Sequence, residues 1–277
     1  MNKSRLLSFL KVAGVIALVS LSRGVILYAD SNITICGSTT VLPVATRAAE
    51  EFMDMHEDVS ISVRGGGSGV GIAALIDGRI DIADASRPIK TKELKVARER
   101  GINPVANVIA NDGIAVVVHP NNTVTELDIT AVKAIYTGEI ANWKELGGPS
   151  MPIVVVSRDV ASGTFEVFKK LVLRGAKVKD GALMLASNKA VATTVAQTPG
   201  AIGYIGLGFL SEDVKALKIE GVTPSPETVK SEEYKLARPL FMYTNGKPKG
   251  LVKDFIDFIL SPQGQAIVKE VGYVPVR

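Results

Sequence analysis

The sequence predicts an α/β fold, because short apolar runs typical of buried strands are followed by amphipathic runs typical of helices. Three times, a loop of glycines and hydroxyl residues joins such a strand to such a helix. The chain has 277 residues, of which 47% are hydrophobic. This is enough for one large domain or two medium ones with apolar cores.

The first junction lies in the segment ITICGSTTVLPVATRAAEEF. A β-branched run predicts a strand at 33–36, and apolar residues three or four positions apart predict a helix that includes Leu42 and Phe52. The loop between them carries three consecutive hydroxyl residues, Ser38, Thr39 and Thr40.

The second junction is glycine-rich and lies in VSISVRGGGSGVGIAALIDG. A strand is predicted at 59–63 and a helix that ends near Gly78, with Gly67 and Ser68 in the loop between them. The loop lacks the Gly-Lys-Ser/Thr ending of a nucleotide P-loop and the last glycine of a nucleophile elbow. A loose match to a dinucleotide fingerprint has no strand just before its first glycine. Neither nucleotide binding nor serine-nucleophile catalysis is therefore expected.

The third junction, VVVSRDVASGTFEVF, adds a positive charge. A strand at 153–156 leads through Arg158 to Ser162, which is a good helix N-cap, and to Gly163, which lets a ligand approach the first free N–H groups. Thr164 follows within the first turn of the helix. From this segment alone, an ordinary helix cap beside a solvated arginine is an equal alternative.

Three junctions of one kind predict a pocket where helix N-termini converge on a small anion. Ligands in open α/β sheets bind beyond the carboxyl ends of the strands, and helix N-termini carry a partial positive charge. Amides and hydroxyls can point in many directions, which suits a tetrahedral oxyanion, and Arg158 supplies a full charge with a planar set of donors.

The amino terminus predicts export. Positive charges precede an apolar stretch, as in a secretory signal, and we expect cleavage after Ala29. An uncleaved membrane anchor is the alternative, because the apolar stretch approaches the roughly 20 residues that span a bilayer. The whole chain has a formal charge of +4, and residues 1–29 hold four basic residues and no acid, so the mature chain is neutral (4 − 4 = 0). No basic face for nucleic acid is expected.

Metal and disulfide chemistry is not expected either. The chain has one cysteine and two histidines, which make neither an intrachain disulfide nor a recognisable zinc set. We therefore expect no metal and no cofactor.

The chain resembles the phosphate-binding proteins of bacterial and archaeal ABC-type phosphate importers. The resemblance covers nearly all of the chain after residue 32, and several motifs carry it in order: GSTTVLP, GGGSGVGI, DIADASRP, IYTGEIANWKELGG, SRDVASGTF, GAIGYIGLG and KGLVKDFIDFILSPQGQAIVKEVGYVPV. It implies a periplasmic-binding-protein fold in which two α/β lobes, each a sheet flanked by helices, are joined by two crossover segments and close over the anion. Apolar extended runs at 114–118 and 240–244 fit the crossovers. We assign lobe one to 30–116 plus 242–277 and lobe two to 117–241.

The resemblance also implies the function and its residues. We expect a monomeric protein on the periplasmic or extracellular side of the membrane that captures inorganic phosphate and delivers it to the permease subunits of an ABC transporter. It would not be an enzyme: a phosphate-ester hydrolase would need a metal or an activated nucleophile. A sensor or adhesion protein that uses the same fold is a further alternative. The family's ligand residues fall on Thr39, Thr40, Ser68, Arg158, Ser162, Gly163 and Thr164.

One position departs from the family pattern. Where well-studied members carry an aspartate that accepts a proton from phosphate and repels sulfate, this chain has Ser86, followed by Arg87. Alternation along an extended segment would place Asp84 on the same side as Ser86. Asp84 either takes over the acceptor role or is a structural acid, and the sequence favours neither, so the choice between phosphate and sulfate stays open at this point.

Overall fold

The computed structural model describes residues 31–276, so the signal peptide predicted at 1–29 lies outside the described residues. Between residues 31 and 276, no helix is long and apolar enough to cross a membrane. The strands are β1 (Asn32–Gly37), β2 (Ser60–Gly65), β3 (Ile82–Ala85), β4 (Pro104–Val118), β5 (Glu126–Leu127), β6 (Val154–Arg158), β7 (Leu183–Leu185), β8 (Ala201–Gly206), β9 (Lys215–Ala216), β10 (Lys218–Ile219) and β11 (Ala237–Asn245). The α-helices are α1 (Leu42–Met55), α2 (Ser68–Ile76), α3 (Thr91–Glu99), α4 (Ile129–Thr137), α5 (Gly163–Phe168), α6 (Asn188–Gln197), α7 (Pro226–Lys230), α8 (Gly250–Leu260) and α9 (Pro262–Glu270).

The strands form two lobes that share a long strand. The order of hydrogen-bonded neighbours is β2-β1-β3-β11-β4-β8-β6-β7. In the first lobe β1 lies between β2 and β3 and is parallel to both, and in the second lobe β6 lies between β7 and β8 and is parallel to both. The predicted two-lobe α/β fold is confirmed, with the added detail that β4 continues from one sheet into the other.

The two connections between the lobes are extended strands. The first part of β4 pairs with β11, and its last part, from Ile114 to Val118, pairs with β8. Strand β11 is antiparallel to both β3 and β4, with an irregularity in its pairing to β4 between Leu240 and Phe241. Both runs predicted as crossovers are therefore strands, while the exact boundaries of the lobes stay a prediction.

Local signals explain the helices beside the site and at the C-terminal end. Helix α1 buries one face against the first sheet, and Phe52 of that face packs edge-on against Phe255 of α8. Helix α9 begins at Pro262 because Ser261 caps it, with its Oγ accepting from Gly264 N, and Pro262 occupies its first position. Because β1 is parallel to β2 and β3, these strands end at one edge of the sheet, where α1 and α2 begin.

Candidate anion-binding site

The three predicted junctions meet in the structure. Thr40 Oγ1, before α1, lies 3.1 Å from Thr164 Oγ1 in the first turn of α5. Gly69 N, in the first turn of α2, donates to Ala161 O at 2.9 Å. The hydroxyl residues of all three loops are buried, and so are Gly163 and Arg158. The loops of the two lobes are therefore in direct contact, and they enclose a polar site.

Two glycines allow the close approach of the loops. Gly67 has a φ of 94°, which favours glycine, and a Cβ there would lie 2.7 Å from Ala161 O of the other lobe. A Cβ at Gly163 would lie 2.6 Å from Ser86 Oγ and closer still to Ser68 Oγ. Side chains at these positions would hold the lobes apart.

Helix α5 begins as its sequence predicts. Ser162 is the N-cap, and its Oγ accepts a hydrogen bond from Phe165 N at 3.1 Å. The first N–H groups of a helix have no partner within it, so those of Gly163 and Thr164 are available to an anion at this end of α5. The same end of the helix carries a partial positive charge that favours an anion.

Arg158 ends β6 and is almost fully buried, at 1% exposure. Its Nε donates to Leu185 O at 3.0 Å, and its Nη2 donates to Ala186 O at 2.9 Å and to Thr39 Oγ1 at 3.1 Å. Its Nη1 is buried and has no hydrogen-bond partner among the described residues. Burial lowers the pKa of Arg158 to about 10, so the side chain still carries its charge at neutral pH. A buried cationic N–H without an acceptor is a vacant donor for an anion.

Ser86 and Asp84 differ in their surroundings. Ser86 N donates to Ser68 Oγ at 3.0 Å, and the two hydroxyl oxygens lie 3.3 Å apart. Asp84 is in the middle of the first sheet, where it pairs with Gly37 and Met242, and neither carboxyl oxygen has a partner among the described residues. Burial raises the pKa of Asp84 well above its usual range, which favours the protonated acid.

A family model described as a PBP superfamily domain matches residues 28–263. The chain belongs to the PBP superfamily. Among curated proteins it is 38% identical over 253 residues to the phosphate-binding protein PstS of Bacillus subtilis, with 90% of this chain and 82% of that protein covered. It is 34% identical over 252 residues to the phosphate-binding protein PstS of Staphylococcus aureus strain USA300, with 86% and 76% covered. These relatives place it in the family of phosphate-binding proteins.

Solved structures agree with this assignment. The fold matches a putative phosphate ABC transporter substrate-binding protein with bound phosphate from Clostridium perfringens, with a TM-score of 0.82 at 38% identity over 89% of this chain and 100% of the other. It also matches an ABC-type phosphate transport receptor from Vibrio cholerae, with a TM-score of 0.72 at 32% identity over 87% and 99%.

Arg87 is placed differently from the other arginine of the predicted site. In this member of the PBP superfamily its Nη1 and Nη2 pair with Glu93 at 2.8 and 2.7 Å, and Nη1 also donates to Pro88 O. The charge of Arg87 is thus neutralised at the start of α3. Its Nε is buried and has no hydrogen-bond partner among the described residues, but the ion pair with Glu93 means that Arg87 does not present a free cation.

Sequence reasoning missed three buried polar residues at the site. Asn188 begins α6, and its Nδ2 lies 3.3 Å from Thr39 Oγ1 and 3.0 Å from Thr40 Oγ1. Arg238 on β11 pairs with Asp112 on β4, its register partner, at 2.9 Å, and also donates to Thr40 Oγ1. A charge inside the apolar run ARPLFMYT was an available signal for Arg238. Asn188 gave no such signal, because asparagine at a helix start is common.

An ion pair also bridges the lobes outside the site. Lys90 Nζ, just before α3, lies 2.7 Å from Glu166 Oε1 on α5, and both side chains are about one-third exposed (32% and 29%). Helix α5, whose N-terminus belongs to the site, is thus held to the first lobe a second time.

Proposed function

We propose that this chain is an extracytoplasmic binding protein that captures inorganic phosphate between its two lobes and delivers it to an ABC-type membrane permease, without covalent chemistry. The observation that carries this proposal is the convergence of three loop–helix junctions, one of which carries buried Arg158, whose Nη1 has no hydrogen-bond partner among residues 31–276. Proteins named for phosphate binding, at up to 38% identity over most of the chain, support phosphate as the anion.

Each part of the site has a chemical task. Arg158 provides the charge and a free N–H, and the Ser68 amide at the start of α2 and the first amides of α5 donate to the anion oxygens. Gly67 and Gly163 allow the lobes to approach. The hydroxyls that surround the anion are those of Ser38, Thr39, Thr40, Ser68, Ser86, Ser162 and Thr164.

The lobes, 30–116 plus 242–277 and 117–241, close over the anion through β4 and β11. Residues 1–29 direct the chain to the periplasmic or extracellular side of the membrane, as a cleaved signal or an anchor. There the monomer meets permease subunits in its closed, loaded form.

Calorimetric titration tests this proposal. The mature chain is unfolded and refolded to remove bound ligand and is then titrated with phosphate, sulfate, arsenate and molybdate. We expect phosphate to bind with one site per chain and more tightly than sulfate. Absence of phosphate binding, or equal binding of sulfate, would contradict phosphate as the specific ligand.

A further inference from the structure

The hydrogen-bond partners of the Thr39 hydroxyl determine which way its proton points. A hydroxyl can accept two hydrogen bonds and donate one. Thr39 Oγ1 lies 3.1 Å from Nη2 of Arg158 and 3.3 Å from Nδ2 of Asn188, and both of these groups can only donate. Both acceptor positions of Thr39 are therefore filled, and its proton is left for a further acceptor. An anion oxygen at Arg158 Nη1 is the acceptor that the site provides.

The Thr40 hydroxyl is fixed in the same way. Asn188 Nδ2 at 3.0 Å and Arg238 Nη2 at 3.2 Å both donate to Thr40 Oγ1. Its proton must then point to its third neighbour, Thr164 Oγ1 at 3.1 Å, so the hydrogen bond between the lobes runs from Thr40 to Thr164.

The orientation of the Asn188 amide is itself determined. Asn188 Oδ1 accepts from Gly206 N at 3.3 Å, and an exchanged amide would place two donors face to face. Asn188 is fully buried, so water does not satisfy its amide in place of the two threonines. One amide from the second lobe thus orients two hydroxyls of the first.

We propose that Asn188 is a positioning residue for anion recognition: it makes Thr39 an obligate donor, so that this side of the site accepts only an unprotonated oxygen. The inference rests on the proposed function, since it concerns the same site. The opposite side is less constrained, because either hydroxyl of the Ser68–Ser86 pair can be the donor, and among the described residues Ser162 Oγ accepts one hydrogen bond, from Phe165 N. A single proton on the anion is therefore accommodated there, whereas a second proton meets a donor at Thr39.

This polarity predicts how phosphate affinity depends on pH. Dibasic phosphate carries one proton and monobasic phosphate two, and the second ionisation falls near pH 6–7, close to the value of about 6 for a phosphoryl group. The wild-type chain should bind phosphate more tightly at pH 8 than at pH 5.5. Removal of the Asn188 amide frees one acceptor position on Thr39 and one on Thr40. Thr39 can then accept a hydrogen bond from monobasic phosphate, so phosphate affinity should depend less on pH.

The ionisable groups around the site do not themselves produce a rise in phosphate affinity between pH 5.5 and pH 8. Burial lowers the pKa of Arg158 to about 10 and raises that of Tyr204, behind it, to about 12, and burial raises the pKa of Tyr273, whose hydroxyl donates to Thr40 O. None of these three changes charge between pH 5.5 and 8. Arg238 is held by Asp112. Burial raises the pKa values of Asp112 and Asp84, and their ionisation at higher pH adds negative charge and lowers anion affinity, which is opposite in sign to the predicted rise.

The test is calorimetric titration of refolded wild type and Asn188→Ala with phosphate at pH 5.5 and pH 8. Asn107→Ala is the matched control, because Asn107 Nδ2 also donates to a carbonyl and a threonine hydroxyl, on β11. We expect Asn188→Ala to weaken binding about tenfold at pH 8, as for loss of one hydrogen bond to a charged group, and by less than about threefold at pH 5.5. The control should bind like wild type at both pH values.

A second variant separates positioning from simple damage. In a Thr39→Val background, the pH-dependent part of the Asn188→Ala effect should disappear, because its target is gone. An equal loss at both pH values in Asn188→Ala, or a wild-type affinity that falls from pH 5.5 to pH 8, would overturn the positioning role while leaving phosphate binding intact. Absence of wild-type binding at both pH values would overturn the proposed function and this inference together.

Discussion

One methyl group at Gly163 tests whether the lobes must meet for the anion to be held. Gly163 is the first residue of α5 and does not have a positive φ, so alanine fits the helix and favours it by up to about 1 kcal/mol. A Cβ at this position lies 2.6 Å from Ser86 Oγ and closer still to Ser68 Oγ, whereas ordinary contact begins at 3.4 Å. The substitution thus disturbs only the closed form, in which these residues of opposite lobes meet.

The expected loss of phosphate affinity follows from how far the distances from the new Cβ to the serine hydroxyl oxygens fall below ordinary contact. The shortfall at Ser86 Oγ is about 0.8 Å (3.4 − 2.6), and it is larger at Ser68 Oγ, which is closer. The first lobe therefore has to retreat by more than about 0.8 Å, because Ser68 Oγ accepts from Ser86 N and cannot turn away without losing that bond. Overpacking of this kind costs about 1–3 kcal/mol. Phosphate binding by Gly163→Ala should therefore be weaker by roughly 5- to 150-fold, at 1.4 kcal/mol for each factor of ten.

Titration calorimetry measures the phosphate affinity, and thermal unfolding measures the stability of the ligand-free chain. Without phosphate, Gly163→Ala should unfold at or slightly above the wild-type temperature. Gly69→Ala is the control, because a Cβ at Gly69 also faces the other lobe but meets Ala161 O at 3.4 Å, an ordinary contact. The phosphate affinity of Gly69→Ala should lie within about threefold of that of wild type, since alanine keeps the hydrogen bonds of the helix. Wild-type affinity in Gly163→Ala, or an equal loss in both variants, would refute the reasoning.

Three further predictions concern Arg158, the ion pair between the lobes and Asp84. Arg158→Ala should weaken phosphate binding by about 2–5 kcal/mol in calorimetry, and Arg158→Lys should restore only part because the planar set of donors is lost; near-normal binding by the alanine variant would remove Arg158 from the site. Lys90→Gln and Glu166→Gln should each weaken binding by about 0.2–1 kcal/mol at low salt and by less at high salt, without changing the unfolding temperature of the ligand-free chain; a salt-independent loss would contradict an ion-pair origin. Because the pKa of Asp84 is raised in the folded state, the folded chain binds more protons than the unfolded chain above about pH 4, and stability falls as pH rises towards that raised pKa. The unfolding temperature of Asp84→Asn should therefore exceed that of wild type by more at pH 8 than at pH 5. If Ser86, rather than Asp84, faces the anion, sulfate should compete against labelled phosphate no better in Asp84→Asn than in wild type.

Sequence reasoning succeeded where the signal is local. The capping role of Ser162 and the strand before each loop depend on a few neighbouring residues, and the structure confirms them. The first two loops lie together because the carboxyl ends of parallel strands meet at one edge of a sheet. The third loop, on the other lobe, meets them because the lobes are in contact. The fold of two lobes came from resemblance, and the family model and the related structures confirm it.

The parts that sequence reasoning missed depend on contacts between distant segments. Arg238 reaches Asp112 across 126 positions and Thr40 across 198, and Asn188 reaches Thr40 across 148. No pattern within one segment indicates which buried hydroxyl a remote amide will meet. Asp84 and Ser86 show the same difficulty, because alternation along an extended segment does not reveal that Ser86 has a hydroxyl partner while the Asp84 carboxyl has none within the part of the chain that the structure describes.

The most direct test of anion capture between the lobes is a crystal structure of the mature, refolded chain grown with arsenate. Arsenate is a tetrahedral stand-in for phosphate, and its arsenic is located by anomalous scattering. We predict one arsenic site per chain, with arsenate oxygens within hydrogen-bond distance of Arg158 Nη1, Thr39 Oγ1 and the amide of Gly163. A single, fully occupied arsenate elsewhere on the chain, with Arg158 Nη1 left unpaired, would contradict the proposed site.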